Sequence, residues 1–178
     1  MRGLILTGAL GSGKTTAQNL LVSNHNFWTP LTVTTRDVSG LETFMLSVPF
    51  DKFTKGVNEV KYVLPYRFGQ HWYAWRSSDF EHLIFSKSKR SVVNVRPYTA
   101  LLLSAFRTDL IPVWLWVEPE ELQRRLTKRA DARDTEPELR SLRRLQDEED
   151  RSYELLFSHR VRSDDKMVDS LLRLLGKN

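Results

Sequence analysis

Residues 8–15 read Gly-Ala-Leu-Gly-Ser-Gly-Lys-Thr, and this stretch decides the fold. It matches the P-loop pattern of a glycine, four free positions and then Gly-Lys-Thr. Gly8, Gly11 and Gly13 allow backbone angles that a side chain would forbid, so successive N–H groups can turn inward around phosphate oxygens. Lys14 adds a compact positive charge against the β- and γ-phosphates. The stretch therefore predicts a nucleoside triphosphate site.

The flanking sequence supplies the strand and the helix that a P-loop connects. Residues 4–6 (Leu-Ile-Leu) form a short apolar run typical of a buried strand, and residues 16–23 have apolar side chains at helical spacing. The N-terminal end of that helix would direct its positive dipole toward the same anion. A flexible Gly/Ser turn is the alternative interpretation, but such a turn does not require Lys-Thr at its end.

The ligands that this pattern predicts are a nucleoside triphosphate and Mg²⁺. The Thr15 hydroxyl is the candidate Mg²⁺ ligand. The residues that we expect to contact the triphosphate belong to the loop and to the start of the helix: Gly8, Gly11, Ser12, Gly13, Lys14, Thr15 and Thr16.

Composition limits the class of protein. The 178 residues suit one domain, and the absence of cysteine excludes disulfides and thiolate metal sites. The N-terminal apolar run is too short for a signal peptide, and no stretch is apolar enough for a membrane span. We therefore expect a single domain over residues 1–178 in a cytoplasmic protein without a membrane partner. The oligomeric state stays open.

The net charge of +5 would suit an anionic partner, including nucleic acid. The arginines, however, concentrate between residues 124 and 144, around a predicted hinge. This distribution favours a lid that closes on phosphates over a groove that follows a nucleic-acid backbone. We therefore expect a small-molecule phosphate acceptor rather than a nucleic acid.

Strands and helices alternate along the chain. Apolar runs predict strands at residues 27–34, 92–95 and 111–117, and the aromatic-rich residues 41–75 predict short antiparallel strands in a small insert. Predicted helices cover 77–87, 97–106, a stretch from Pro119, 136–153 and a last one from Asp164. The alternation predicts an α/β three-layer fold whose ligands bind at the carboxyl ends of parallel strands.

Two arginine-bearing segments could serve phosphate chemistry. Arg36 follows a predicted strand, and arginine grips phosphate bidentately; a solvated loop charge is the alternative interpretation. In the second segment, Arg125 and Arg129 lie one helical turn apart, as do Arg140 and Arg144. Such cations could reach the moving phosphoryl group, whereas a charged helix with i,i+4 ion pairs is the alternative.

Other constellations are weaker. An aromatic cluster could stack a nucleobase, although aromatics on short strands usually belong to a core. Its members are Tyr66, Phe68, Trp72, Tyr73 and Trp75. The four histidines show no ligand spacing. No Ser-His-Asp spacing and no Asn-Lys-x-Asp motif occur, which argues against a hydrolase triad and against a GTPase switch.

Together these motifs resemble the guanylate kinase-like family over nearly the whole chain. The resemblance rests on the P-loop, Thr34-Thr35-Arg36, Leu-Gln-Arg-Arg-Leu-Thr-Lys-Arg at 122–129, Arg144-Leu145 and Ser163-Asp164-Asp165. It implies a P-loop NTPase fold with a parallel central sheet, a β-rich acceptor insert at about 38–75 and a helical lid at about 125–145. In that family the γ-phosphate of ATP passes to the phosphate of a nucleoside monophosphate.

The resemblance also implies roles for single residues. Lys14 and Thr15 would hold ATP and Mg²⁺, and Arg36 would anchor the acceptor phosphate. Three further arginines would stabilise the transferred group: Arg125, Arg129 and Arg144. The candidate acceptor-contacting residues are Thr34, Arg36, Asp37, Tyr73, Asn94 and Arg96.

The chain departs from the family on the acceptor side. Residues 37–40 (Asp-Val-Ser-Gly) lack the second acceptor arginine, and no phosphate-contacting tyrosine stands near Thr43. Val63 or a neighbour occupies the place of the glutamate that reads guanine. Residues 94–96 read Asn-Val-Arg where the family has Asp-x-Asp, so the acid near Mg²⁺ is missing and a cation is gained.

These departures are similar to ribose 1,5-bisphosphate phosphokinase, of the same superfamily, in residues 35–42 and in the pair Asn94 and Arg96. The leading expectation is a nucleoside monophosphate kinase, and a ribose 1,5-bisphosphate phosphokinase is the alternative. A non-catalytic module that binds a phosphorylated ligand and a kinase for nucleic-acid ends are further alternatives.

Overall fold

The computed structural model describes residues 2–38, 43–86, 88–133 and 148–176. The chain divides into two compact units. The first unit consists of Met1–Phe27 and Arg90–Asn178, and the second unit consists of Trp28–Lys89. The second unit is therefore inserted into the sequence of the first.

The described residues form the strands and helices of an α/β protein. The strands are β1 (Gly3–Thr7), β2 (Thr32–Thr34), β3 (Met45–Ser47), β4 (Tyr62–Phe68), β5 (His71–Arg76), β6 (Val92–Asn94), β7 (Leu110–Trp116) and β8 (His159–Arg162). The helices are α1 (Lys14–His25), α2 (Phe50–Asn58), α3 (Ser77–Phe85), α4 (Pro97–Phe106), α5 (Pro119–Arg133) and α6 (Met167–Gly176). Residues 148–152 are also helical, and Glu154–Leu156 form a 3₁₀ turn.

The strands of the first unit form one parallel sheet in the order β6-β1-β7-β8. Leu4 of β1 pairs with Val92 on one side and with Ile111 on the other. All five residues of β1 are buried, as expected for a parallel strand covered on both faces. The loop of residues 8–13 follows β1 directly, so it lies at the carboxyl edge of the sheet, where open α/β folds bind ligands.

Helices cover both faces of this sheet. Leu4 and Leu6 lie in one buried cluster with Ala17 and Leu21 of α1 and with Leu171 of α6. Helix α4 packs on β1 and β7 with buried side chains that lie outside this cluster. The first unit therefore has the three layers, helix on sheet on helix, that the sequence predicts.

The second unit has a mixed sheet in the order β3-β2-β5-β4. Strand β2 pairs parallel with β3 and antiparallel with β5, and β5 pairs antiparallel with β4. Its core contains Val33, Ala74 and Phe53. Gly56 of α2 lies so close to the Tyr62 ring that a Cβ would clash with it. Helix α2 is thus fixed on the hairpin of β4 and β5.

Several sequence predictions in the first unit are confirmed closely. The helix predicted at residues 97–106 is α4, and β6 and β7 lie within one residue of the runs predicted at 92–95 and 111–117. The last helix begins at Met167 rather than at Asp164, because Asp164 Oδ1 accepts a hydrogen bond from Lys166 N in a preceding turn. Of the helix predicted at 136–153, only the end lies within the described residues.

Two predictions for the region of residues 27–75 were wrong. The strand predicted at 27–34 is restricted to β2, because Pro30 has no N–H to donate to a sheet and Phe27 packs in the core of the first unit. The aromatic-rich stretch also contains α2, which the sequence reasoning interpreted as strand. Phe53 and Val57 pack at helical spacing there, and the nearby aromatics obscured that period.

None of the helices in the described ranges combines the length and the apolar character that a membrane span requires.

Candidate functional site

The loop between β1 and α1 has a backbone that only glycine tolerates at key positions. Gly8 and Gly13 have φ angles of 139° and 87°, outside the range that side-chain-bearing residues adopt easily. A Cβ on Gly8 would clash with the carbonyl oxygen of Leu115, and a Cβ on Gly13 would lie 2.6 Å from Ser163 Oγ. The loop therefore packs closely against the ends of β7 and β8, which restrict its backbone conformation.

The Lys14 ammonium group lies against this loop. Its Nζ donates hydrogen bonds to the carbonyl oxygens of Gly8 at 2.7 Å and Ala9 at 2.8 Å. Ser12 is buried, its backbone N–H donates to the Ala9 carbonyl at 3.1 Å, and its Oγ makes no hydrogen bond to a described residue. The loop thus holds one fixed positive charge at the end of β1.

Thr15 and Thr16 are exposed at the start of α1. Asn94, at the end of β6, donates from Nδ2 to Thr15 Oγ1 at 3.4 Å. The predicted acceptor residue Asn94 therefore lies beside the predicted metal ligand Thr15. Helix α1 has no side-chain cap and no acid in its first turn, so its N-terminal dipole is not offset by an acidic side chain there.

Arg96, which directly precedes α4, is held by two acids that the sequence reasoning did not select. Its Nη2 lies 2.8 Å from Glu149 Oε2 and 3.0 Å from Asp150 Oδ1, and its Nε lies 3.2 Å from the same Asp150 oxygen. The sequence analysis considered i,i+4 ion pairs on a charged helix in this region only as an alternative, and it assigned no partner to Glu149 or Asp150. No sequence signal connected them to a residue more than fifty positions earlier.

The Asp150 carboxyl is mostly buried, with a side-chain exposure of 14%. Burial raises the pKa of Asp150 above its ordinary value, and the charges of Arg96 and Lys14 act in the opposite direction. A buried carboxylate within the field of the P-loop lysine is typical of functional sites.

Arg125 connects helix α5 to the P-loop and to the end of β8. Its Nη1 donates to Ser163 Oγ at 3.0 Å and, at a longer 3.4 Å, to the Gly11 carbonyl, and its Nη2 donates to the Ser163 carbonyl at 3.1 Å. Glu121 accepts from Arg125 Nε at 2.7 Å. The structure therefore places this predicted catalytic arginine beside the loop, where it ties three segments together.

In the second unit, Arg36 lies just beyond the end of β2. Its backbone N–H donates to Thr34 Oγ1 at 3.1 Å, its Nη1 donates to the Asp37 carbonyl at 3.2 Å, and its Nη2 contacts Met45 Sδ at 3.5 Å. Thr34 is fully buried, whereas Asp37 is exposed. The predicted segment 34–37 is thus organised around a strand end, with its guanidinium at the surface of the unit.

Tyr73 is almost fully buried on β5, and its ring stacks on Tyr66 of β4 with centroids 5.2 Å apart. Tyr66 is half exposed. Both residues belong to the predicted aromatic cluster, and Tyr66 is the more exposed of the two, whereas Tyr73 is the one predicted to contact the acceptor.

Comparison with known proteins gives a likeness in structure alone. No protein-family model and no curated protein matches the sequence. The chain is similar to guanylate kinase from Anaplasma phagocytophilum, with a TM-score of 0.69 and 14% identity over 98% of this chain and 84% of that one. It is also similar to an uncharacterised protein from Eubacterium ventriosum, with a TM-score of 0.53 and 12% identity over the whole of both chains.

The chain has the fold of a P-loop kinase. This confirms the α/β fold class with its parallel sheet that the sequence predicts. At such low identity the likeness concerns the fold and not the reaction.

The residues at the P-loop fit a triphosphate with Mg²⁺. The glycine backbone leaves the space that a Cβ would fill, Lys14 supplies the charge, and Thr15 offers an exposed hydroxyl. Among the described residues, no group of three or more His, Cys, Asp or Glu could hold a metal ion by itself. Proteins commonly bind Mg²⁺ through one or two side chains together with substrate phosphates.

Part of the predicted lid lies outside the described residues. This applies to Arg140 and Arg144, and to the side chain of Arg129 on α5. Their predicted contacts with the transferred group stay predictions.

Proposed function

We propose that this protein is an ATP-dependent phosphotransferase that moves the γ-phosphoryl group of ATP to the phosphate of a small acceptor, a nucleoside monophosphate in the leading form. An acceptor phosphate oxygen forms the new O–P bond, the bond to the β-phosphate oxygen breaks, and ADP leaves. The observation that carries the proposal is the intact P-loop, with its glycine backbone and with Lys14 held against it. The P-loop kinase fold supports it.

The chain's own residues would act by position and charge rather than by covalent chemistry. Backbone N–H groups of the loop bind phosphate oxygens, and Lys14 neutralises charge on the β- and γ-phosphates. Arg125 holds the loop in place from α5. Mg²⁺, when bound with the nucleotide, supplies further neutralisation of the phosphate charge.

The acceptor phosphate would be bound by Arg36 in the second unit. Its guanidinium contacts the Asp37 carbonyl at 3.2 Å and Met45 Sδ at 3.5 Å, and an arginine can bind a phosphate through two parallel hydrogen bonds. Tyr66, which is half exposed although its ring stacks on Tyr73, offers a surface for a nucleobase.

A ribose bisphosphate acceptor is the second candidate. It is favoured by the departures at residues 35–42 and by Val63, which cannot read a guanine as a glutamate would. The extra cation Arg96 supports it less, since two carboxylates already neutralise that guanidinium. The nucleoside monophosphate is therefore the first acceptor to test.

The test is an ADP-release assay with ATP and Mg²⁺ over nucleoside monophosphates, deoxynucleotides and ribose phosphates. We expect one acceptor class to stimulate ADP release and Lys14→Ala to reduce the stimulated rate by at least about 10³-fold, as expected for loss of the P-loop lysine charge in the transition state. Lys52→Ala, at an exposed position on α2, is the matched control and should retain the wild-type rate. A Lys14→Ala variant with the wild-type rate would refute the proposal, and ATP binding without release for any acceptor would favour a non-catalytic module.

A further inference from the structure

The end of β6 has no acidic residue that could help to bind Mg²⁺. P-loop sites that use a Ser or Thr hydroxyl for Mg²⁺ commonly add an aspartate. Here Asn94 lies beside Thr15, and two residues later stands Arg96, which is a cation. The strand end therefore supplies an amide and a positive charge, and a carboxylate has to come from another segment.

Arg96 holds such a carboxylate. Both hydrogen bonds from Arg96 to Asp150 end on the same oxygen, Oδ1, at 3.0 Å and 3.2 Å. The other oxygen, Oδ2, makes no hydrogen bond to any residue that the structure describes. A carboxylate that is oriented through one oxygen and keeps the other for coordination is the usual arrangement around protein-bound metals.

The two acids that contact Arg96 differ sharply in their surroundings. The Asp150 side chain is 14% exposed, whereas the Glu149 side chain is 60% exposed. The positive charge of Lys14 reaches the Asp150 carboxyl group, where it lowers the pKa against the effect of burial. Asp150 is thus mostly buried and lies within the electric field of Lys14, whereas Glu149 is largely exposed to solvent.

We propose that Asp150 is the carboxylate that serves the Mg²⁺ of bound ATP, and that Arg96 is the positioning residue that holds it. The acid of the site is thereby delivered from the helical residues 148–152 instead of from the strand end. The inference rests on the proposed function in so far as that function requires ATP to bind at the P-loop.

The test is calorimetric titration of the full chain with ATP, once with Mg²⁺ and once with EDTA, which measures binding without turnover. In the wild type, Mg²⁺ should strengthen ATP binding. Asp150→Asn should reduce that strengthening factor at least about tenfold, as expected for loss of a group that orients or ligates a metal. Since a negative charge near Lys14 repels metal-free ATP, the same variant should bind ATP more tightly in EDTA.

Glu149→Gln is the matched control, because it also removes an acid from Arg96 but at an exposed position. In Glu149→Gln, Mg²⁺ should strengthen ATP binding by the same factor as in the wild type. In Asp150→Glu, that factor should lie between those of Asp150→Asn and the wild type. Arg96→Gln should also lower the factor by which Mg²⁺ strengthens ATP binding, and Arg96→Lys should be intermediate. If Arg96 had a purely structural role, its loss would weaken ATP binding equally with Mg²⁺ and with EDTA. Circular dichroism of each variant confirms that the fold is intact.

The outcomes separate this inference from the proposed function. If the wild type binds ATP and Asp150→Asn keeps the full Mg²⁺ factor, the inference about Asp150 is wrong while the donor site stands. Equal losses in Asp150→Asn and Glu149→Gln would also overturn it. If the wild type binds no ATP under either condition, the proposed function fails and the inference fails with it.

Discussion

The P-loop of the first unit and the segment 34–37 of the second unit hold their charged groups in different ways. In the P-loop, glycine φ angles and direct contacts with strand ends fix the backbone, and Lys14 bonds to backbone carbonyls. In segment 34–37, a single side chain, Arg36, lies beyond a three-residue strand and is directed by Asp37 and Met45. A site built from backbone tolerates little change in sequence, whereas a site built from side chains can change its ligand without changing the fold.

The strongest test of this contrast is Gly13→Ala. The added Cβ would lie 2.6 Å from Ser163 Oγ, and the φ of 87° disfavours any side chain. We expect the loop to shift and ATP affinity to fall by at least about 100-fold, because the backbone N–H groups then no longer converge on the phosphates. Titration calorimetry with Mg²⁺ and ATP measures the change.

The matched control is Gly176→Ala at the end of α6, where a Cβ would meet nothing within 4 Å. This variant should bind ATP as the wild type does. If Gly13→Ala bound ATP equally well, the P-loop would not depend on its backbone geometry and the contrast between the two units would disappear.

Because segment 34–37 holds its charge on a single side chain, we expect Arg36→Ala to affect the acceptor and not ATP. Loss of a charge-assisted hydrogen bond to phosphate should raise the KM for the acceptor by about 10- to 100-fold, with the KM for ATP unchanged. Steady-state ADP release with each substrate varied separately gives both constants. The exposed Arg173→Ala on α6 controls for the loss of one positive charge. An equal rise in both constants would contradict an acceptor role for Arg36.

The same difference explains how much of the molecule the sequence predicted. The P-loop could be predicted from the sequence because its backbone geometry requires glycines. The parallel strands could be predicted because burial on both faces produces continuous apolar runs. Helix α2 was missed because Phe53 and Val57 stand among aromatics whose spacing also suits strands. The pairing of Arg96 with Asp150 could not be predicted, since only the tertiary fold brings together residues so distant in sequence.

The smallest expected effect is on stability, and it concerns Glu121, which pairs with the P-loop-supporting Arg125. Hydrogen bonds from Arg124 and Arg125 hold the pKa of Glu121 down at about 2, below the ordinary 4.5. Because the folded-state pKa is depressed, ionised Glu121 stabilises the fold fully above pH 4.5, and this stabilisation is lost as the pH falls toward about 2. Glu121 is partly exposed, so we expect a small difference in the free energy of unfolding.

Denaturant unfolding of the wild type and of Glu121→Gln across this pH range measures that difference. The wild type should be the more stable protein at neutral pH, and the two curves should converge as the pH falls from 4.5 toward 2. Glu120→Gln, at the neighbouring exposed acid, controls for the change in net charge. A difference that stays constant down to the acid end would mean that Glu121 acts through packing rather than through its charge. The charge of Glu121 would then contribute nothing to the support of the P-loop, and the hydrogen bonds from Arg125 to Gly11 and Ser163 would act without it.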